Sequence, residues 1–210
     1  MRSIRILSLA LVPALALAAP AFAQDTASSS GTASGKRFAV TGGVAHMHPS
    51  DPGDGLRVDG GPAPTLSASW YATDNFAVEL WGAADKFNHR VRQDGVGKLG
   101  TVEQQPIALS GQWHFGQADN VFRPFVGVGY YESNFSNEDI AGGGPHVGLE
   151  SAKGAIGTVG MDFNINPTWF ARTDVRYMHA RPELRVAGDG TGSELELDPW
   201  TVGVGIGARF

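Results

Sequence analysis

Between Trp200 and Phe210 the chain carries an apolar residue at every second position. Trp200, Val202, Val204, Ile206, Ala208 and Phe210 share one face of an extended strand, and Thr201, Gly203, Gly205, Gly207 and Arg209 share the other. In a soluble sheet the apolar face would lie on a core and the other would meet water. Here the second face holds glycines and a charge, which suits a closed barrel with lipid outside and a polar or hollow lumen inside.

The amino terminus supplies an export signal. Met1–Arg5 is basic, Ile6 to Ala19 is apolar, and Ala21-Phe22-Ala23 is a small-x-small cleavage pattern. Residues 1–23 are therefore expected to be a removed signal peptide, 24–36 a flexible lead rich in Ser, Thr, Ala and Gly, and 37–210 one barrel domain. The apolar run is shorter than the roughly 20 residues of a spanning helix and contains Pro13. The mean hydropathy of -0.12 does not count against a membrane, because alternation of outward apolar and inward polar residues averages away. With no cysteine the chain has no disulfide or thiolate chemistry, and a net charge of -5 without a basic cluster argues against nucleic acid.

Period-two patterning and turn residues predict eight strands, at about 37–47, 64–72, 75–85, 104–115, 122–134, 153–165, 168–182 and 194–210. The connections alternate: 72–75, 116–121 and 166–167 are short, whereas 48–63, 86–103, 135–152 and 183–193 are long and rich in Gly, Asp and Pro. The fold class is thus all-β, an eight-stranded antiparallel transmembrane barrel with three short periplasmic turns and four long outer loops. Trp70, Phe76, Trp113, Phe115, Phe163, Trp169 and Phe210 gather at the periplasmic strand ends, and Tyr130, Phe135 and Trp200 toward the other rim, as interfacial girdles.

Parity also sorts the interior. Toward the periplasm the inward positions are charged: Glu79, His114, Asp162, Arg172, Asp174, Arg176 and Arg209, joined by Gln112 and Arg123, are expected to pair as a plug. Asp162 and Arg172 flank the Asn166-Pro167 turn and can face each other across one hairpin. Toward the outer rim Ala45, Ser67, Gly127, Gly129 and Gly203 are small and leave room for a pocket, whereas Met47, Trp81, Tyr131, Ile156 and Met178 are bulky and either line that pocket or fill it. The two outcomes stay open at this point.

Other chemistry is poorly supported. His46 and His48 share a strand face but have no third ligand nearby. Asp51–Gly55 and Gly188–Gly192 have the composition of calcium loops without the spacing. Ser110 and His114 lie on one inward face four residues apart, roughly 13 Å at 3.3 Å per residue, too far to pair as nucleophile and base. No cofactor, metal or catalytic group is expected.

The chain resembles the OmpW/AlkL family of eight-stranded outer-membrane barrels. The resemblance rests on Tyr71–Asn75 followed by Val78-Glu79-Leu80, on Gln112–Gly116, on Phe122–Gly129 (Phe-Arg-Pro-Phe-Val-Gly-Val-Gly), on Gly157–Asp162, on Trp169 with Val175–Met178, and on Leu197-Asp198-Pro199-Trp200 running to Arg209-Phe210. These blocks are collinear over nearly all of residues 37–210. The resemblance implies a monomer in the outer membrane of a Gram-negative bacterium, whose lumen opens outward and is closed toward the periplasm. It further implies passive diffusion of small, mostly hydrophobic molecules, released sideways through the wall where prolines interrupt pairing; Pro106, Pro124 and Pro199 are the candidates. By resemblance to such barrels Phe210 is part of the signal read by the assembly machinery. The family's lumen floor is apolar; Trp81 keeps that character and Arg176 does not. The rival expectation is a surface-recognition barrel with a filled lumen, binding phage, bacteriocins or host surfaces by its long loops.

Overall fold

The computed structural model describes residues 33–49, 56–93, 97–140, 147–149, 151–180, 183–186, 189–194 and 198–210. The expected signal peptide and most of the lead lie outside the described residues, as does Asp51–Gly55. Among the described residues the strands are β1 (Phe38–His48), β2 (Leu56–Asp59), β3 (Pro62–Tyr71), β4 (Phe76–Ala83), β5 (Phe87–Gln93), β6 (Gly97–His114), β7 (Phe122–Ile140), β8 (Val147–Leu149), β9 (Ala152–Asn164), β10 (Trp169–Ala180), β11 (Glu183–Val186), β12 (Asp189–Glu194) and β13 (Trp200–Arg209). Eight of them form a closed antiparallel barrel in the order β6-β4-β3-β1-β13-β10-β9-β7, with β7 pairing back onto β6.

The wall forms because each strand has one face suited to lipid. Leu109, Val128, Val159 and Ile206 are 56%, 75%, 63% and 59% exposed, values that a water-soluble barrel would not tolerate as a continuous band. On the opposite face of the same strands Ala108, Thr158, Gln112 and Arg209 are buried.

The long connections contain more structure than expected. β6 begins at Gly97 instead of about 104, and β7 continues to Ile140 instead of about 134. A span needs about 9–11 residues, so an 18-residue β6 and a 19-residue β7 rise beyond the bilayer. β2 pairs with β5 and β5 with β6 on this extension, while β8, β11 and β12 form a separate three-stranded sheet. Outside the membrane a strand needs backbone partners and no apolar face, so segments such as Phe87–Gln93, with Arg90 and Arg92, carry no lipid-facing pattern. Part of the calcium-like run, from Asp189 on, lies in β12.

At the other rim the three turns are tied together. Asn75 Nδ2 donates to the carbonyls of His114 and Gly116 (2.7 and 2.8 Å), and Asn164 Nδ2 donates to those of Ala118 and Asn120 (2.9 and 2.8 Å). Residues 33–36, the described end of the lead, are strapped beneath them and are not free: Ala33 N–H donates to Asp119, Ser34 Oγ and Gly35 N–H to Asp74, and Lys36 Nζ to Thr168 Oγ1. Gly35 has φ +82°, a left-handed conformation that favours glycine, so the strap can turn into β1. The Ser34 hydroxyl, followed by the Gly35 amide, holds the Asp74 carboxyl below the usual carboxylate range.

The topology has a direct check. Single cysteines at Gly53, Gly95, Gly143 or Asp189 are expected to react with a membrane-impermeant thiol reagent on intact cells, and one at the exposed turn residue Asn120 is not. The first three positions lie outside the described residues. Reversed accessibility would invert the barrel.

Candidate functional site

The lumen is layered, and each layer follows from register. At the periplasmic end Arg172 is the direct partner of Asp162 across the β9–β10 hairpin. Arg172 Nε and Nη2 donate to the two Asp162 oxygens at 2.7 and 3.0 Å, a bidentate pair, and its Nη1 reaches Glu79 Oε2 at 2.7 Å. Arg176 donates to Glu79 Oε1 through Nη1 and to Asp174 Oδ1 through Nε, both at 2.8 Å. Arg209 Nη2 reaches Asp162 Oδ2 at 2.9 Å, and Gln112 Nε2 donates to Glu79 Oε1 at 2.8 Å. His114 turns toward Gln112 (3.3 Å) and Asp162 (3.7 Å), so its ring belongs to the plug and not to a Ser110 pair.

Aromatic rings insulate these charges. The Arg172 guanidinium lies 4.5 Å from the Phe125 ring centroid, Arg209 4.1 Å from Phe170, and Arg176 4.5 Å from Trp81. Phe125 and Phe170 were not singled out from the sequence. Their direct register partners are Gly160 and Gly207, where an added Cβ would meet the rings at 2.4 and 2.3 Å. An inward aromatic opposite an inward glycine is the signal that could have found them.

One pleat outward comes a layer of hydroxyls. Thr158 and Thr201 flank Arg176 in register, and Ser110 pairs with Glu79 and Gly129. The Ser110, Thr158 and Thr201 hydroxyls are buried without a hydrogen-bond partner. Beside this layer, against β1, β3, β10 and β13, is a cavity of about 20 Å³ lined by Thr41, Gly43, Ala45, Thr65, Ser67, Trp81, Arg172, Asp174, Arg176, Gly203, Val204 and Gly205. Of the small residues expected to open a pocket, Ala45, Ser67 and Gly203 do line this cavity.

Gly127 and Gly129 do not. A Cβ at Gly127 would meet Gln112 Cγ at 3.0 Å, and one at Gly129 would meet Leu109 O at 2.1 Å and Ser110 Oγ at 2.5 Å, because neighbours on β6 lean across the space the glycines leave. Above them Met47, Trp81, Tyr131, Ile156 and Met178 pack with Phe87 and alanines into an apolar cluster. In this structure the bulky set fills the lumen. Of the two outcomes left open by parity, the described residues form a small polar cavity under an apolar layer.

The three prolines differ in setting. The β4–β6 ladder ends at Gly82↔Ile107 and the β5–β6 ladder resumes at Phe87↔Gln104, so Pro106 stands where β6 changes partners. The Gln105 side chain reaches across this break to the Ala83 carbonyl at 3.1 Å. Pro124 lies within the continuous β7–β9 ladder, and the Pro199 carbonyl accepts the Met178 N–H at 2.9 Å, so neither interrupts the wall. His46 and His48 face outward, with ring centroids 4.6 Å apart, and His48 stacks on Trp200 at 4.3 Å as part of the outer girdle. No group of three or more His, Cys, Asp or Glu that could hold a metal occurs among the described residues.

Comparison with known proteins agrees with this architecture. The OmpW family profile matches residues 36–210. Outer membrane protein W of Escherichia coli (strain K12) is 34% identical over 152 residues, covering 69% of this chain and 71% of that protein. The solution structure of the Escherichia coli protein superposes with a TM-score of 0.58 at 29% identity, over 83% of this chain and 98% of that one. The outer membrane protein OprG of Pseudomonas aeruginosa has a TM-score of 0.65 at 24% identity, over 87% and 99% of the two chains, a likeness of fold.

Proposed function

The chain belongs to the OmpW family of outer-membrane barrels, and from that premise we propose that it is a passive channel for small, mostly hydrophobic molecules. One observation carries the reading: an apolar layer of Met47, Trp81, Tyr131, Ile156 and Met178 lies above a floor sealed by buried ion pairs. A solute that enters from the outer rim meets apolar surface first. Crossing the floor would break several buried charge pairs, whereas the pairing break at Gln105-Pro106 gives a sideways route into the bilayer. Met47 and Met178 are unbranched and adaptable, and their rotation opens the layer without moving the wall. The barrel works as a monomer after removal of its signal peptide and is assembled by machinery that reads Phe210.

The packed layer favours a second reading, a recognition barrel whose outer strands bind a phage, a bacteriocin or a host surface. Uptake by intact cells separates the two. Met178→Ala, which widens the layer, is expected to raise uptake of a small hydrophobic probe several-fold, and Ala45→Trp, which fills the lumen from an inward position, to lower it by as much. Gly129→Trp is unsuitable as a plug because the Leu109 carbonyl and Ser110 occupy its side-chain space. Folding is checked by heat-modified mobility on gels. If both folded variants take up the probe at the parent rate, the channel reading fails and recognition stands.

A further inference from the structure

The cavity beneath the apolar layer has a chemistry of its own. Asp174 leans over Gly203, where a Cβ would sit 3.3 Å from its Oδ1. That oxygen accepts from Arg176 Nε, and Oδ2 is not engaged by any described residue. Arg176 spends Nε on Asp174 and Nη1 on Glu79, which leaves the Nη2 donors. The Thr41 and Ser67 side chains line the same space from β1 and β3. The cavity therefore offers one acceptor, one donor and, with Thr65, three hydroxyls.

Its size and charge narrow what fits. About 20 Å³ holds a group the size of one water. The Arg176, Asp174, Glu79 and Arg172 charges are already matched in pairs, so a second carboxylate would be set against Asp174 and an ammonium against Arg176. A hydroxyl meets both demands, donating to Asp174 Oδ2 and accepting from Arg176 Nη2. The methionines just above give the attached chain an apolar path outward.

Resting on the channel reading, we propose that the lumen is selective for small amphiphiles with one neutral hydroxyl head, such as medium-chain primary alcohols, which seat the head between Asp174 and Arg176 and the chain among Met47, Trp81 and Met178. The preference over plain hydrocarbon comes from one or two buried hydrogen bonds, which corresponds to about tenfold.

The test measures protein-dependent uptake of four eight-carbon probes, octan-1-ol, octane, octanoate and octylammonium, by cells with and without the full-length protein. Octan-1-ol is expected to exceed octane by about tenfold, with both charged probes trailing the alcohol. Ser67→Val, which fills the cavity and removes a hydroxyl, is expected to bring the alcohol-to-alkane ratio toward one, and Thr41→Val to do the same from the neighbouring strand if the first variant does not fold. Equal uptake of alcohol and alkane by the parent, a lead for octanoate or octylammonium, or a ratio unmoved in a folded variant overturns the selectivity while leaving the channel intact. Uptake of all four probes independent of the protein removes the channel reading and this inference with it.

Discussion

Glu79→Leu is expected to lower the stability of the folded barrel by about 3–5 kcal/mol, the usual consequence of removing one partner from a buried charge network. Glu79 accepts from Arg172, Arg176 and Gln112 and is fully buried. Leucine leaves the buried Arg172 and Arg176 Nη1 groups without the carboxylate that accepts from both. The plug starts with four guanidinia, those of Arg123, Arg172, Arg176 and Arg209, against three carboxylates, those of Glu79, Asp162 and Asp174, so losing Glu79 widens an existing imbalance. Glu79→Gln keeps the shape and should lose less. Arg176→Leu alone also destabilises, but once Glu79→Leu has removed the carboxylate it donates to its further cost is smaller, so the double variant is expected to lose less than the sum of the two singles. Urea unfolding of the purified protein in micelles reads all four. A Glu79→Leu midpoint equal to the parent's would mean that the charges do not hold the floor.

That network was partly legible in the sequence. Strand parity puts Glu79, Asp162, Arg172, Arg176 and Arg209 on one side of the wall, and the short turn between them lets Asp162 and Arg172 face each other across one hairpin. Period two says which way a residue points and nothing about how far across the lumen a neighbour reaches. Gly127 and Gly129 therefore read as empty space, although Gln112 and Ser110, their register partners on β6, cover them. The same limit hid Phe125 and Phe170 above Gly160 and Gly207. Once hairpin register is assigned, each of these glycines lies opposite the residue that covers it, so the information was present in pairings and not in parity.

Outside the bilayer the pattern fails for another reason. Strands there need no lipid-facing residues, so β5 and the start of β6 lack the outward apolar series, although Phe87 turns inward into the apolar cluster. Asp94-Gly95, between Gln93 and its partner Gly97, is a strong hairpin turn signal and was the available clue. The strap was missed because Ser, Gly and Lys at 34–36 look like linker composition. Their role, with that of Ala33, depends on Asp74, Thr168 and, for the Ala33 N–H, Asp119, which belong to three different turns.

Deleting Phe210 is expected to reduce folded barrel in the outer membrane of cells several-fold. The residue makes two separable contributions. Its backbone closes the barrel, because its N–H donates to the Phe38 carbonyl at 2.8 Å and its carbonyl accepts from the Arg37 and Phe38 N–H groups at 2.8 and 3.2 Å. By strand parity its ring continues the apolar series of β13, in the position we assign to the assembly signal. Phe210→Ala keeps the backbone bonds and removes only the ring. In refolding into detergent micelles, where no machinery acts, Phe210→Ala should match the parent, while the deletion loses about 1–3 kcal/mol for the seam bonds. In cells both variants should assemble poorly if the ring is read. Should Phe210→Ala assemble in cells as well as the parent while the deletion does not, the terminal residue matters for closing β13 onto β1 and the ring carries no signal.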